Sequence, residues 1–501
     1  MITHIKINGF KSFHNFEMMF TPFTVIAGIN ASGKSNLFDA LELLSAIASG
    51  KKTLKEIFRD NNYYYLINGY KGLFLDKNSE EEKYIEGATL EEIFTKYDEQ
   101  HYVSQMTFEV DMLVDKNITD AWGASAKLKY TRLQYSLTIQ RVTGEYGIDD
   151  LIVTNERLET IKHDDDQWIK LISAQDRGNW RPKVTTGKRG TPYIYTENNK
   201  GQLTAYVPQD GVAGGKKRTY PLINATQTVL SSIGTIDFRH ILAAKNEMEN
   251  WRFLRFNPEH LRQPTSKYTG ADKLTPSGLN LAAVLYRIKQ EDEYSLIEIS
   301  RELNRFIPEF TGVDVIDDVE HNQYVIYLQQ RDGKIFSSRV LSEGTLRLLA
   351  LCIIEYDNKV KGIICYEEPE NGIHPFRINA MAHLLYNIST DFSDQHAPLR
   401  QVIINTHSPV VVKDIFAWEH NDHVSIYYSQ MRSRTTNIDQ SRVRINITRM
   451  IPVVKELDNI KSDTTGQLEW KYNIYSNEEL KATLSTVESL LNMSNTTIEE
   501  E

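Results

Sequence analysis

The sequence predicts an α/β fold, a mixed sheet with a parallel core, into which an α+β and helical region is inserted. Three patterns indicate this fold. Residues 23–27 form a short β-branched run, which a glycine-rich loop joins to apolar residues at helical spacing over residues 36–44. After residue 340, helical patterns alternate with buried apolar strands, as is typical of parallel sheets. Between these ends the chain is loop-rich with scattered strands and then, beyond about residue 225, mainly helical.

Composition indicates a globular protein with more than one core. The chain has 501 residues, of which 41% are hydrophobic and 25% are charged. No apolar run approaches the roughly 20 residues that span a bilayer, and the N-terminus alternates like a strand rather than a signal peptide. Cys352 and Cys365 lie in apolar runs, so we expect core residues in a reducing cytosol rather than a disulfide or metal pair. We therefore expect a cytoplasmic protein that does not enter a membrane.

We expect four regions along the chain. A split head comprises residues 1–50 and 315–450, and an α+β lobe with charged loops occupies residues 51–225. A mainly helical insertion covers residues 226–314, and residues 451–501 form a C-terminal segment with a helical, acidic tail.

Charge is unevenly distributed between two segments. The net charge of −10 argues against a basic coat for nucleic acid. Residues 76–99 carry nine acids and three lysines, whereas residues 176–220 carry nine lysines and arginines and three acids. The basic segment is either a contact for nucleic acid or an acidic partner, or a solvated surface loop. We favour the loop, because charged runs are usually surface.

The glycine-rich loop has the spacing of a phosphate-binding P-loop: Gly28, four residues, then Gly33, Lys34 and Ser35. Backbone N–H groups of such a loop, at the positive end of the following helix, bind a nucleoside triphosphate. Lys34 would reach the β- and γ-phosphates, and the Ser35 hydroxyl would hold Mg²⁺. The residues expected to contact the nucleotide are Gly28, Asn30, Ala31, Ser32, Gly33, Lys34, Ser35 and Asn36.

Two later apolar strands end in candidate catalytic residues. The first ends in Glu367 and Glu368. Glu367 would help to hold Mg²⁺, and Glu368 would orient and polarise the attacking water. The second strand ends at His407, which we expect to hydrogen-bond the γ-phosphate. Lys34, Glu368 and His407 are therefore the predicted catalytic residues.

A third segment, Leu341-Ser342-Glu343-Gly344-Thr345, opens a helix just before the acidic strand. A serine and a glycine at a helix N-terminus present N–H groups to a phosphate. The pentapeptide alone is a weak signal, because a serine N-cap before an apolar helix is common. Its place between the P-loop and the acidic strand end makes Ser342, Glu343 and Gly344 candidate nucleotide contacts.

The order of these motifs resembles that of ABC-type ATPases. Their residues are similar to those of the RecF/SMC-like branch, AAA-type proteins that include the OLD-like (AAA_21) group and related prokaryotic defence ATPases. The runs that carry the resemblance are residues 5–13, 274–282, 341–347, 367–375 and 406–409.

This resemblance implies an ABC/SMC-type P-loop ATPase head that uses ATP and Mg²⁺ and pairs head to tail with a second copy. Ser342 and Gly344 would then touch the γ-phosphate bound by Lys34 of the partner subunit. Glu367 stands where many ABC proteins have Asp, a departure that is usual in this branch but leaves the rate of hydrolysis open. The Q-loop glutamine stays unassigned.

The resemblance also implies a function. Residues after 409 contain no Toprim pattern of Glu and Asp-x-Asp, and we interpret Asp164-Asp165-Asp166 as a loop rather than a metal site. We therefore expect a homodimer or higher homo-oligomer that controls a separate nuclease or toxin in antiphage defence, similar to the ATPases of Septu (the PtuA family) and PARIS (the AriA family). The alternative is a RecF-like repair ATPase that binds DNA, and a third hypothesis is a nucleotide-bound scaffold with negligible turnover.

Overall fold

The computed structural model describes most of the chain. Parts of both charged segments, including Lys188, Arg189 and Lys216, and the tail Glu499–Glu501 lie outside the described residues. The described residues are 1–59, 93–97, 102–143, 149–171, 174–180, 183–187, 191–210, 217–394, 396–418, 423–438, 441–454 and 482–496.

Strands and helices follow one another in an order close to that expected. In chain order the strands are β1 (Ile2–Asn8), β2 (Phe16–Met19), β3 (Phe23–Ala27), β4 (Gln105–Leu113), β5 (Asn117–Thr119), β6 (Ser125–Lys127), β7 (Arg132–Thr143), β8 (Asp149–Thr160), β9 (Tyr195–Asn199), β10 (Gln202–Pro208), β11 (Lys217–Pro221), β12 (Arg252–Leu254), β13 (Thr265–Ser266), β14 (Phe310–Asp318), β15 (Gln323–Gln330), β16 (Ile335–Ser337), β17 (Gly362–Glu367), β18 (Arg400–Thr406), β19 (Val424–Ile438), β20 (Ser441–Val454) and β21 (Ala482–Thr483). The α-helices are α1 (Lys34–Ser49), α2 (Leu54–Arg59), α3 (Ala174–Trp180), α4 (Val229–Ser232), α5 (Arg239–Glu249), α6 (Pro258–Arg262), α7 (Leu281–Glu291), α8 (Glu293–Phe306), α9 (Glu343–Tyr356), α10 (Ile378–Ile388), α11 (Pro409–Phe416) and α12 (Leu484–Thr496). Short 3₁₀ helices lie at Trp168–Leu171, Ile236–Phe238, Ser338–Val340 and Pro375–Arg377.

A seven-stranded mixed sheet organises the molecule, in the order β12-β17-β18-β3-β19-β20-β21. Its first five strands are parallel, and β20 runs antiparallel to β19. The mixed sheet with a parallel core that the sequence predicts is therefore confirmed.

Both faces of this sheet are buried, because alternate side chains of its central strands enter different cores. Ile26 and Cys365 belong to one apolar cluster, whereas Val25 and Ile364 belong to the other. Each large apolar side chain buried in this way contributes roughly 1.5–3 kcal/mol. This two-sided burial explains why β3, β17 and β18 read as continuous apolar runs rather than alternating ones.

A second sheet, antiparallel throughout, has the order β2-β1-β4-β7-β8. It joins the N-terminal strand to residues 105–160, so it crosses the predicted boundary at residue 50. Likewise β12 comes from the segment predicted as mainly helical and pairs with β17. The division into four regions stays a prediction. Among the described residues, smaller sheets are formed by β13 to β16, by β9 to β11, and by β5 with β6.

Both cysteines are core residues, as expected. Cys352 and Cys365 are free and buried, and burial raises the pKa of each thiol well above its usual value. In the part of the chain that the structure describes, no helix is long and apolar enough to cross a membrane.

Candidate nucleotide-binding site

Three predicted segments meet at one edge of the seven-stranded sheet. Ala27 at the end of β3 pairs with Thr406 at the end of β18, and Asn405 pairs with Glu367 at the end of β17. Because these strands are parallel, the P-loop, the acidic strand end and His407 all emerge at the same edge.

The P-loop places its lysine inside the turn. Lys34 is the first residue of α1, and its Nζ donates to the carbonyl oxygens of Gly28 (2.6 Å) and Ile29 (2.8 Å). The side chain is buried, and burial lowers the pKa of Lys34, although the nearby carboxylates of Glu368 and Glu370 oppose this shift. The ammonium group is therefore held at the acidic strand end rather than in solvent.

Glycine is required at the end of the loop. Gly33 has a φ of 91°, and a Cβ there would lie 1.9 Å from the Thr448 hydroxyl oxygen. The Ser32 carbonyl accepts from Ser429 Oγ (2.9 Å) and Thr448 Oγ1 (3.4 Å), which ties the loop to β19 and β20. Ser32 Oγ is buried, and it has no hydrogen-bond partner among the described residues. A buried hydroxyl beside a phosphate-binding loop is a donor that the fold itself leaves unused.

Other predicted loop residues differ in their surroundings. Asn30, Ala31 and Ser35 are exposed, as side chains facing a ligand should be. Asn36 instead donates from Nδ2 to Ser12 Oγ (2.7 Å), which fixes the start of α1 to the loop after β1.

Glu367 lies in a cluster of acids around one arginine. Arg255 Nη2 lies 3.5 Å from Glu367 Oε1 and 3.1 Å from Glu42 Oε2. Burial raises the pKa of Glu42 to about 7 and that of Asp39 to about 6, although Arg255 opposes both shifts. Sequence reasoning missed Arg255, because it follows the short strand β12 inside a segment that reads as helical.

Glu368 is held in a strained backbone conformation. Its φ is 46°, and its N–H donates to Asn405 Oδ1 (3.0 Å). Its carboxylate accepts from Asn371 Nδ2 (2.7 Å) and lies 3.2 Å from His407 Nδ1. A positive φ at a non-glycine residue costs about 1–3 kcal/mol, so the surrounding bonds aim this carboxylate.

Glu370 is a buried acid that sequence reasoning missed. One of its oxygens accepts from Thr406 Oγ1, and the same oxygen lies 3.9 Å from His407 Nδ1. The other oxygen, Oε2, has no hydrogen-bond partner in the part of the chain that the structure describes. Burial raises the pKa of Glu370, despite its bond to Thr406. The sequence signal that could have identified Glu370 is the recurrence of acids in Glu367-Glu368-Pro369-Glu370.

The segment around Ser342 is built on a different element. Ser342 is the N-cap of α9 and accepts from the Thr345 N–H (3.3 Å). Glu343 pairs with Arg347 at 2.8 Å, and a Cβ at Gly344 would lie 2.7 Å from the Gly372 carbonyl oxygen. Among the described residues, no hydrogen bond or ion pair joins this segment to the P-loop of the same chain.

Comparison with known protein families gives one match that covers most of the chain. A protein-family profile described as AAA_15, AAA ATPase domain, matches residues 1–412. No curated protein matches the chain.

Solved structures similar to the chain include three heads of SMC proteins. An SMC head bound to the C-terminal winged-helix domain of ScpA is 12% identical, with 90% of this chain and 97% of that chain covered and a TM-score of 0.45. The SMC head from Thermotoga maritima is 11% identical, with coverage of 90% and 99% and a TM-score of 0.35. A head with an extended coiled coil, bound to the C-terminal domain of ScpA derived from Pyrococcus furiosus, is 12% identical, with coverage of 95% and 98% and a TM-score of 0.38.

Proposed function

The chain belongs to the AAA_15 family of AAA ATPase domains, and from that premise we propose that this ATPase is a switch subunit. It binds ATP in sites shared by two copies of the chain and controls a separate effector, a nuclease or toxin, in prokaryotic antiphage defence. One observation supports the switch: the predicted catalytic residues gather at one sheet edge, whereas within the described residues Ser342 and Gly344 make no hydrogen bond to the P-loop of their own chain.

Lys34 supplies the charge for the phosphates. The carbonyl oxygens of Gly28 and Ile29 hold its ammonium group beside the acidic strand end. Phosphate oxygens of ATP replace those carbonyls as stronger, charged acceptors, and the Ser32 hydroxyl is available as a further donor.

Glu368 acts as the base. Asn371 and His407 fix its two carboxylate oxygens. One carboxylate oxygen accepts a proton from the attacking water as the bond from the water oxygen to the γ-phosphorus forms and the bond from that phosphorus to the bridging oxygen of ADP breaks. Because His407 turns Nδ1 toward Glu368, its Nε2 is left for the γ-phosphate. The products are ADP and phosphate.

Ser35 and Glu367 suit Mg²⁺, since a hydroxyl and a carboxylate are the hard oxygen donors that this ion prefers. Three carboxylates, Glu367, Glu42 and Asp39, share the two cations Arg255 and Lys11, so a divalent cation fits the charge of this cluster. Mg²⁺ bound here would neutralise and orient the β- and γ-phosphates.

A second copy of the chain is the expected source of the missing half-site. The backbone N–H groups that follow Ser342 lie at the N-terminus of α9 and suit a bound phosphate. In this proposal, that phosphate is held by the P-loop of the partner subunit. Exposed apolar side chains stand close in sequence to the motifs: Val340 before Ser342, Phe376 after the acidic segment and Val410 after His407. Phe376 is 93% exposed, which suits a residue that a partner subunit covers.

Control of an effector is supported by the resemblance of the motifs to defence ATPases. The RecF-like alternative predicts instead that DNA stimulates hydrolysis and that the closed dimer holds DNA without another protein.

Trapping the ATP-bound state tests the switch. Glu368→Gln should convert the chain from monomer to dimer on addition of ATP and not of ADP, as measured by mass photometry. Lys34→Ala should show no dimer with either nucleotide. A Glu368→Gln protein whose oligomeric state ignores ATP contradicts the shared site and favours a nucleotide-bound scaffold.

Coexpression with the neighbouring genes of its operon tests the effector. A stoichiometric second protein should copurify with Glu368→Gln in ATP and be lost from Lys34→Ala. If operon coexpression yields no partner, the proposed control of an effector is wrong. The ATP-dependent dimer is tested separately by mass photometry.

A further inference from the structure

Two buried hydroxyl groups lie against the P-loop from strands that the family profile does not reach. Ser429 on β19 and Thr448 on β20 are 0% and 1% exposed, whereas the profile match ends at residue 412. Ser429 is opposite Met450, so Thr448 lies diagonally from it on the same face of the two strands. Burial of a hydroxyl group is unfavourable unless it forms a hydrogen bond. Both side chains therefore need an acceptor on this face.

That acceptor is a single carbonyl oxygen of the P-loop. Ser429 Oγ donates to the Ser32 carbonyl oxygen over 2.9 Å, and Thr448 Oγ1 donates to the same oxygen over 3.4 Å. The donors are 397 and 416 positions away from Ser32 in the sequence, so these bonds depend on the fold and not on the loop itself. The carbonyl group of Ser32 is consequently held toward β19 and β20.

The planar peptide unit converts this contact into an orientation of the next N–H group. In a trans peptide unit the carbonyl group and the following N–H group point in opposite directions. The Gly33 N–H therefore points away from β19 and β20, and among the described residues it has no hydrogen-bond partner. Successive N–H groups of a P-loop face the phosphates of the nucleotide. The Gly33 N–H is thus oriented as a donor for a phosphate oxygen.

Glycine makes this peptide unit easy to rotate unless something holds it. Gly33 has a φ of 91°, a region that glycine enters without steric cost. Rotation of the peptide plane between Ser32 and Gly33 by half a turn would direct the Ser32 carbonyl oxygen at the phosphates, which repel it. Two hydroxyl donors on that carbonyl oxygen oppose the rotation, because the rotated loop would leave both buried hydroxyl groups without an acceptor.

A chain of hydrogen bonds fixes the direction of the Thr448 hydroxyl group. Asn36 Nδ2, which can only donate, donates to Ser12 Oγ over 2.7 Å. Ser12 Oγ lies 2.6 Å from Thr448 Oγ1, and each hydroxyl group has one hydrogen to give. Because Thr448 gives its hydrogen to the Ser32 carbonyl, Ser12 gives its own to Thr448. The start of α1, the loop after β1, strand β20 and the P-loop are therefore joined.

We propose that Ser429 and Thr448 are positioning residues for nucleotide binding, which hold the peptide unit between Ser32 and Gly33 with its N–H group toward the phosphates. They do not touch the nucleotide, because they act through the Ser32 carbonyl. The proposal rests on the nucleotide site of the proposed function and needs neither the second copy nor the effector. Strands beyond the family match thereby take part in binding the nucleotide.

Calorimetric titration of the full chain with ADP and Mg²⁺ tests the proposal. ADP is the probe because its binding does not depend on the ATP-driven pairing of two copies. The double variant Ser429→Ala, Thr448→Val should bind ADP about tenfold more weakly or worse, since the Gly33 N–H is no longer held toward a charged oxygen. Thr448→Ser keeps the hydroxyl group and should bind ADP like the unaltered protein, although it loses a methyl group that Thr448→Val retains.

The matched control is Ser389→Ala with Thr390→Val. These two hydroxyl groups are also buried, and they donate to the carbonyl oxygens of Tyr386 (2.6 Å) and Arg400 (2.8 Å). Within the described ranges no hydrogen bond joins them to the P-loop. The control removes the same two hydroxyl groups and should bind ADP like the unaltered protein, even where urea unfolding shows that it is less stable.

Four results overturn the proposal: no ADP binding by the unaltered protein, unchanged affinity in the double variant, an equal loss in the control, and binding by Thr448→Ser as weak as by Thr448→Val. If the double variant fails to fold, Ser429→Ala alone gives the test, with a Kd for ADP raised at least about threefold. Failure of the switch is a different result. It is a Glu368→Gln protein that ignores ATP in mass photometry while the ADP affinities change as expected.

Discussion

Two runs of acidic residues have opposite environments in this molecule. In the run 164–166, Asp166 is buried and forms a two-point ion pair with Arg132, at 2.8 Å to Nε and 3.0 Å to Nη2. Arg132 also donates to Thr3 Oγ1 (3.0 Å) and stacks over the Trp168 ring. In the run 367–370, by contrast, one carboxylate oxygen of the buried Glu370 has no hydrogen-bond partner within the described ranges.

The contrast between these two runs distinguishes an acid that stabilises the fold from acids that are placed to act on a ligand. Around Asp166 the two charges satisfy each other, so the three-acid run lies in a loop, as expected, that its own bonds hold in place. Around Lys34 the acids outnumber the cations, Glu368 has a positive φ, and Ser32 Oγ is unsatisfied. Such strain and unmet bonding persist where a ligand later relieves them.

The largest expected effect is on turnover. Glu368→Gln keeps the side-chain shape but removes the base, so the rate of ATP hydrolysis should fall by about 10²–10⁴-fold. The free energy of unfolding should fall by less than about 1 kcal/mol, because Gln keeps the hydrogen-bonding groups that face Asn371 and His407 and removes one charge from a group of acids. The measurements are phosphate release and urea unfolding. If Glu368→Gln lost stability together with activity, the run 367–370 would have a structural role, as the run 164–166 has.

A large loss of stability is expected when the paired acid, Asp166, is substituted. Asp166→Asn leaves the buried Arg132 guanidinium without its counter-charge, which should lower the free energy of unfolding by about 3–5 kcal/mol. The control is Asp165→Asn, whose side chain is 67% exposed and whose nearest cation, Lys162, is 3.9 Å away. It should change stability by less than about 0.5 kcal/mol. If Asp166→Asn and Asp165→Asn lowered the free energy of unfolding in urea equally, the contrast between the paired and the exposed acid would be contradicted.

Sequence reasoning found the strands of the site better than its contacts. The pattern of β-branched and apolar residues located β3, β17 and β18 because it depends on neighbours along the chain. Partners of single charges come from far away in sequence: Arg255 and Glu42 are 213 residues apart.

The same limit hid Glu370 and the grouping of arginines on β19 and β20. Glu370 meets Thr406 across 36 residues, so its burial follows from the pairing of β17 with β18 rather than from its own run. Only the register shows that Arg432, Arg434 and Arg449 share a face.

A smaller, pH-dependent effect is expected in the antiparallel sheet, where acids are again paired. Burial tends to lower the pKa of His4, but hydrogen bonds with Asp111 and Glu17 outweigh burial and raise it to about 9. This contribution to stability is complete below pH 6.5 and disappears as the pH rises through 9. His4→Gln should therefore lose about 1–2 kcal/mol at pH 6, allowing for the exposure of Glu17, and little at about pH 10. Urea unfolding of both proteins at the two pH values measures this, and a loss independent of pH would contradict it.

The smallest expected effect has the opposite sign. The pKa of Glu370 is raised in the folded chain, so the folded state binds a proton more tightly than the unfolded chain does. Folding is therefore penalised as the pH rises above the unfolded value of 4.5, and the penalty is complete above the folded pKa. Glu370→Gln cannot ionise and should be as stable as the unaltered protein or up to about 1 kcal/mol more stable at pH 8. Thermal unfolding at pH 8 and at about pH 4.5 measures the difference, which should vanish at the lower pH. Asp166→Asn makes the same chemical change at the paired site and should destabilise at pH 8. If Glu370→Gln destabilises as Asp166→Asn does, Glu370 has a counter-charge in solution, and its unsatisfied oxygen no longer distinguishes the two runs.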